Sequence, residues 1–411
     1  MSIFSSPQNS KYLFIDMNSY FASCEQQVHS CYRGRPVAVT PVLTPNGCIV
    51  SASYEAKAFG IKTGTLVKDA KTMCSGIIIC ESDTKLYLNF HKRWVNVVCN
   101  FSPFVSVKSV DEAVIKLSPS ERNSKDAHSI AVKIKNAIKN QVGEFIRSSI
   151  GIGPNVFLAK QGSDFQKPDG FVELKAENLR EYYLKIKLTD IKGINFRMEK
   201  RLQSMGLPRA IDLYQSSQEM LKRQMGIIGE YWYLKLHGFD LPEAESSLPK
   251  SIGHSHVLEP KFRNWRFAWA VCQKLIEKAG YRLRSHGLQA EGIYLGVKFL
   301  RNEGDVYGWK KSVKTSIFCD SITLGNSILK LWNDIPKKNR QPLKIAVTLF
   351  NLTKLVARQN YLFKNYEKQE NLSFACDFIN DKYGAFTVKP ASIISVEESA
   401  PDRIAFGRPI K

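Results

Sequence analysis

An α+β fold spread over several domains is predicted, and three observations predict it. Short apolar runs that suit buried strands (KYLFID, EAVIKL, SSIGIG) are interspersed with segments of helical period (SYFASCEQQV, AHSIAVKIKNAIKNQV). The 411 residues exceed what one core can organise, and a hydrophobic content of 44% can fill several. The 59 Lys and Arg against 38 Asp and Glu leave a net charge of +21, which suits a polyanion, nucleic acid first. The nine cysteines include no C-x-x-C pair, so neither a zinc knuckle nor a disulfide framework fits, and buried, reduced thiols are expected. No basic leader precedes an apolar stretch, and no segment approaches about 18 uninterrupted apolar residues, so a cytoplasmic protein with no membrane partner is expected.

The elements follow in order. KYLFID is a short apolar run ending on Asp16, as a central strand does when it reaches a site. Asn18 or Ser19 can cap the following helix, where Phe21, Cys24 and Val28 fall at helical spacing. A small unit over 35–73 carries a strand RPVAVTPV, a turn at Pro45-Asn46-Gly47, a strand CIVSAS and a helix SYEAKAFG closed by Gly60. Residues 82–100 read as an amphipathic helix. PFVSVKS and EAVIKL are strands that meet at SVDEA. On a regular strand Asp111 and Glu112 point to opposite faces, so a turn or bulge at their junction must re-aim one of them if both serve one site. A basic helix, the strand SSIGIG and the segment FLAKQGSDFQKPDGFVEL complete a sheet covered by helices on one face. Short helices with Gly turns run from about Lys175, a hinge EAESSLPKSIG follows, and a mixed block spans 251–352 before the tail.

Asp16, Asp111 and Glu112 offer the hard oxygen ligands that Mg²⁺ prefers, and a pair of such ions can stabilise both the attacking and the leaving oxygen of a phosphoryl displacement. Taken alone, each acid reads more readily as a helix-start acid or part of a solvated turn. Tyr54 and Lys57 lie one turn apart on one helix face, and Lys160 follows GIGPN at the start of a helix; cations there would offset a triphosphate's charge.

DMNSYFASCE, NGCIVSASYEAKAFGIKTG, SVDEA and GIGPNVFLAKQGSDFQKPDG resemble, in order and spacing, the signature segments of the Y-family translesion DNA polymerases, and Asp-x-Asn with NGCIVSAS is most similar to the UmuC branch. The resemblance covers about 11–168 by motif, the helical region to about 240 less closely, and the rest by layout. It implies a right-hand polymerase: a ferredoxin-like palm (1–25 and 80–170), small fingers (26–79), a helical thumb (171–242), an α/β little-finger domain (250–353) and a C-terminal tail (354–411). It further implies template-directed, low-processivity, error-prone synthesis past lesions on primer-template DNA from deoxynucleoside triphosphates, in the nucleoid. Asp16, Asp111 and Glu112 match the catalytic, metal-binding acids, and the Met17 carbonyl matches a further ligand for two Mg²⁺ ions. Tyr54, Lys57, Lys160 and Ser51 match triphosphate contacts, although Lys57 stands where many relatives carry Arg, exchanging a bidentate fork for a point charge. Phe21 matches the steric gate against a ribose 2′-hydroxyl.

In the thumb, IKGINFRMEKRLQSMGL resembles a helix-hairpin-helix, whose backbone N–H groups take a DNA phosphate. Gly193 holds the turn, and Asn195 stands where a second glycine is usual, as a residue that tolerates left-handed backbone. From Lys250 and Ser251 onward, basic and aromatic residues alternate as on a face that tracks DNA phosphates. QNYLF resembles a sliding-clamp peptide through Gln359, Leu362 and Phe363, with Asn360 replacing the usual leucine, and UmuD-like subunits are a further possible partner of the UmuC branch. Two other readings stay open at this level: another palm-fold nucleotidyl transferase, and a non-catalytic DNA-binding scaffold derived from a polymerase. The thumb-like hairpin and the basic block favour a protein that grips a duplex, and the presence of all three acids favours an enzyme.

Overall fold

The computed structural model describes residues 10–241, 248–300, 307–336, 340–355 and 366–401. These fall into two compact units, the first running to 241 and the second from 248.

The first unit carries strands β1 (Tyr12–Met17), β2 (Val37–Thr40), β3 (Ser51–Ala52), β4 (Ile78–Glu81), β5 (Val105–Val107), β6 (Glu112–Lys116), β7 (Ser148–Gly153) and β8 (Phe171–Glu173). Among the described residues they form a five-stranded sheet in the order β5-β6-β1-β7-β8 and a three-stranded one in the order β3-β2-β4. β1 lies between β6 and β7, antiparallel to both, so it is hydrogen-bonded along both edges and almost wholly buried. Its alternation sends Leu13, Ile15 and Met17 into a core built with helices Thr84–Cys99 and Ser124–Gln141, through Tyr87, Phe90, Trp94, Ala131 and Ile134.

The sequence predicts helices on one face of this sheet only; the structure covers the other face as well. Helix Val156–Phe165 packs there, setting its Ala159 against Phe14 of β1 and Val114 of β6. Glycine permits this: a Cβ at Gly151 would sit 2.0 Å from the Ala159 carbonyl oxygen, so only a residue without a side chain lets the helix approach β7 that closely. Asp16 and Phe14 share that face, and the helix therefore lies over the end of β1.

At the far edge, Glu173 of β8 accepts from Ser10 (2.6 Å) and Ser124 (3.1 Å) and pairs with His128 (2.9 Å) and Lys175 (3.2 Å), tying together three parts of the chain. The small sheet has its own core of Ala38, Ile49, Ala52, Ile61 and Val67. The helical region from Leu179–Lys185 to Ile227–Leu236 has another, including Tyr183, Ile191, Leu202, Leu213 and Leu221.

In the second unit, β9 (Ser251–Val257), β10 (Leu288–Phe299), β11 (Gly308–Phe318) and β12 (Pro342–Lys354) form an antiparallel sheet in the order β11-β10-β12-β9. Ile293, Leu295, Val297, Ile345, Val347 and Leu349 pack on helices Trp265–Ser285 and Ser321–Asn333. Most of the stretch read as a tail belongs to this unit: Ile393, Val396 and Ala400 join its core, and the ammonium groups of Lys274 and Lys278 bond the carbonyls of Glu397, Ser399 and Ala400. The cysteines correct one expectation. All are free, but Cys31, Cys48 and Cys99 are exposed, because they lie in a one-turn helix, an isolated bridge to Leu66 and a helix end rather than on the buried periods of longer elements. No helix among the described residues is long and apolar enough to cross a membrane.

Candidate active site

Asp16 pairs in register with Glu112 across the β1–β6 ladder, so the two carboxylates rise on one face of the sheet, at its end. Asp111 lies outside the strand. Residues 108–111 form the turn between β5 and β6, and the Asp111 carbonyl accepts from the Met17 N–H at 2.9 Å, which anchors that turn to the end of β1. The turn supplies the break that the acidic pair requires. Met17 closes β1, opposite Ser148 of β7.

Lys160 comes down onto the acids from helix Val156–Phe165, mid-helix rather than at its start. Its ammonium passes over the Phe14 ring (5.1 Å) and bonds Asp16 Oδ2, Glu112 Oε1 (3.0 Å) and Asp164 Oδ1 (3.0 Å). Lys167 bonds the other Asp16 oxygen (2.6 Å) and the same Asp164 oxygen (2.8 Å). Asp16 and Lys160 are both buried, and removing one partner from such a buried network costs about 3–5 kcal/mol because the other charge is left unpaired. Burial disfavours the Lys160 ammonium, yet the charges of Asp16, Asp164 and Glu112 outweigh it and hold the group above the ordinary lysine range. Burial lifts the Asp111 carboxyl above the usual range, opposed by its 2.5 Å bond from the Ser109 hydroxyl and reinforced by Asp16 and Glu112.

This donor set suits a hard divalent cation in kind: carboxylate oxygens that already converge on a positive charge. Among the described residues no three acidic, His or Cys side chains close a cage by themselves. Lys160 stands between Asp16 and Glu112, bonded to both.

Tyr54 and Lys57 share a face of helix Tyr54–Ala58 as their spacing predicts, with the ammonium 4.3 Å from the ring centre. The Lys57 ammonium donates to the Ser19 hydroxyl at 2.8 Å, and burial together with the nearby Lys167 charge pushes its pKa below the ordinary value. The Tyr54 hydroxyl is buried, and Ser19 beside it lies outside hydrogen-bond geometry, so this phenol keeps an unused donor. Ser19 heads helix Tyr20–Val28 in the left-handed region (φ 46°) without capping it; Asn18 bonds Ser149 and the Asp169 N–H instead. Ser51 departs from its expected role, since its hydroxyl already bonds the Ser19 carbonyl (3.1 Å) and receives the Ala22 N–H (3.3 Å). It holds the small sheet against the helix that carries Phe21. The Phe21 ring is buried and stacks on Tyr87, centroids 4.4 Å apart at 14°.

The remaining predicted residues lie elsewhere. Gly193 has φ +98°, as the hairpin turn requires, whereas Asn195 is extended (φ −93°) and not left-handed. The reason is that its side chain caps helix Phe196–Ser204, accepting from Arg197 and Met198. Lys250 and Ser251 are exposed at the start of β9 in the second unit. Gln359, Leu362 and Phe363 lie outside the described residues. Asp164 and Lys167 are the site residues that the sequence argument left unassigned, although both stand in the quoted segment SDFQKPDG; nothing in their spacing alone says that they reach Asp16.

Comparison with known proteins decides the family. The impB/mucB/samB family matches residues 15–164, and its C-terminal domain matches 249–362. DNA polymerase IV of Pelotomaculum thermopropionicum is 30% identical over 396 residues, which cover 93% of this chain and 96% of the relative. DNA polymerase IV of Moorella thermoacetica is 30% identical over 384 residues, 90% of this chain and 93% of the relative. The chain belongs to the Y family of DNA polymerases. This Y-family polymerase also shares its fold with a solved Y-family chimera, "Dbh-Dpo4(243-245)-Dbh", at a TM-score of 0.71 and 23% identity, covering 84% of this chain and 99% of that one. An insertion ternary complex of Dbh DNA polymerase matches at a TM-score of 0.57 over the same shares. The right-hand architecture read from the motifs therefore holds, as does the assignment to DNA-directed DNA polymerases of translesion synthesis, which use a divalent metal.

Proposed function

We propose that the end of β1 is where this polymerase joins a deoxynucleotide to a primer 3′ end, with Asp16, Asp111, Glu112 and the Met17 carbonyl holding two Mg²⁺ ions. The observation that carries this reading is the register pair Asp16–Glu112 with Asp111 in the adjoining turn, which brings the three acids to the same end of the sheet. When bound, the ions lower the pKa of the primer hydroxyl and neutralise charge on the phosphates. The chain's own residues do the positioning. Lys57, Lys160 and Lys167 form a cationic corner beside the acids for the triphosphate, and the Tyr54 hydroxyl has a hydrogen bond to give. The Phe21 ring, backed by Tyr87, presents a wall against a ribose 2′-hydroxyl.

DNA is gripped through its backbone phosphates. The N–H groups of Gly193 and Asn195 suit a phosphate, with Lys200 nearby over the exposed Phe196 ring (4.5 Å). On the second unit's sheet face away from its core, Gly292 and Gly296 on β10 pair with Lys314 and Lys310 on β11, and the Phe350 and Tyr294 rings lie over the two glycines, a basic and aromatic surface with Lys250 and Ser251 at the start of β9. Domain limits follow this division: palm 1–25 and 80–170, fingers 26–79, thumb 171–242, little finger from 250. Small fingers touch the nascent pair little and leave selection to base pairing, hence low fidelity and lesion bypass.

Asp-x-Asn and NGCIVSAS support the UmuC branch and with it a UmuD-like partner, whereas the relatives above carry the name DNA polymerase IV and support that branch instead. Primer extension by the purified chain on intact and abasic templates, with and without a UmuD-like subunit, separates them. Extension by the wild type and none by Asp111→Ala/Glu112→Ala is expected; equal extension by both would overturn the site. Clamp capture through QNYLF is tested by pull-down, and retention of binding by Leu362→Ala/Phe363→Ala would remove it.

A further inference from the structure

We infer that Asp164 is a positioning residue for the incoming nucleotide: it keeps the Lys160 and Lys167 ammonium groups at the site once the Asp16 carboxylate is given over to metal. The inference rests on the proposed roles of Asp16 and the two lysines. Its basis is a closed ring of charges. Asp16 Oδ2 meets Lys160, Lys160 meets Asp164 Oδ1, that oxygen meets Lys167, and Lys167 returns to Asp16 Oδ1. Each lysine thus shares two carboxylate partners with the other, and one of them, Asp16, is the residue whose oxygens a divalent cation needs.

A cation at Asp16 and Glu112 takes from Lys160 two of its three anions and from Lys167 one of its two. Asp164 is the anion both retain. It is spaced for that task, i+4 from Lys160 and i−3 from Lys167, with the side chains meeting at the end of helix Val156–Phe165. Its carboxylate is only partly buried, so it can hold two ammonium groups while they turn toward phosphate oxygens. Without it, the freed lysines have long, flexible stems and no fixed origin, and ordering them falls to the nucleotide.

The sign of the effect separates positioning from simple charge. Removing a carboxylate near an anionic substrate should, by field alone, tighten its binding. Loss of the tether should weaken it. The test is equilibrium binding of the correct dNTP, with Mg²⁺, to enzyme on a dideoxy-terminated primer-template, so that no chemistry occurs. Asp164→Asn is expected to raise the Kd about tenfold and Asp164→Glu to recover most of it. Asp164→Asn/Lys167→Met should raise the Kd by less than the product of the two single effects, because part of the Asp164 effect runs through the Lys167 ammonium. Tighter or unchanged binding by Asp164→Asn, or fully multiplicative effects in the double variant, would overturn the inference. If Lys160→Met and Lys167→Met also leave the Kd unchanged, the triphosphate reading of the lysines fails as well; if they raise it while Asp164→Asn does not, only the role of Asp164 falls.

Discussion

The two large sheets of this polymerase treat charge in opposite ways. In the first unit, Asp16 and Lys160 are buried at the end of a central strand, and each charged group there touches several others. In the second, Lys310 and Lys314 stand exposed on an open face whose partner positions on β10 are glycine. A buried network concentrates consequence: losing one member leaves others unpaired in a poorly solvated place. An exposed array spreads it, because each lysine is screened and each bond to a phosphate is worth little alone. Chemistry needs the first arrangement and sequence-independent grip on DNA needs the second.

The comparison is broken most directly at the acids. Asp111→Ala/Glu112→Ala should lower single-nucleotide insertion by at least the factor of about 10²–10³ that loss of one electrostatic stabiliser costs, with primer-template affinity kept. Comparable losses of binding and insertion would mean that the acids serve folding instead. Phe21→Ala should come next, reducing discrimination against ribonucleotides by about tenfold or more while deoxynucleotide insertion persists; the ratio of the two kcat/KM values measures it.

On the other sheet the effects should be graded. Lys310→Ala/Lys314→Ala is expected to leave kcat unchanged and to reduce the slope of log affinity against log salt by about 0.9 for each DNA phosphate that is no longer neutralised. A slope equal to wild type would take these lysines off the DNA. Gly292→Val sharpens the point, because a Cβ there falls 2.2 Å from the Phe350 ring; it should roughen the face and weaken DNA binding with insertion chemistry intact.

The smallest effect concerns stability. The bonds from Ser10, Lys175 and His128 hold the Glu173 carboxyl below its usual range against the opposing effect of burial, the largest single influence. A depressed folded-state pKa adds stability above the unfolded value, near 4.3, and that stability is lost as pH falls through the folded value. Glu173→Gln should therefore cost about 1 kcal/mol or more at neutral pH, by chemical denaturation, and its difference from wild type should shrink as pH falls below about 4. A constant difference across that range would show that packing, not charge, is responsible.

Much of this was legible from the chain alone. The KYLFID strand, the break at SVDEA and the Tyr54–Lys57 spacing are local patterns; the last two are found as read, and the strand runs one residue past its acid, to Met17. The charge of +21 pointed to nucleic acid, and the order of motifs, by resemblance, to the Y-family polymerases. What only the tertiary structure decided is partnership. That Lys160 and Lys167 share both Asp16 and Asp164, that Ser51 is committed to Ser19, that Asn195 caps a helix and does not turn left-handed, and that residues 391–400 close the second unit's core all depend on which surfaces meet. Period fixes the side of an element on which a residue lies, because that is set by backbone geometry within a few residues. The atom it touches is set by long-range packing, here by a glycine at 151 that lets one helix settle over the end of one strand.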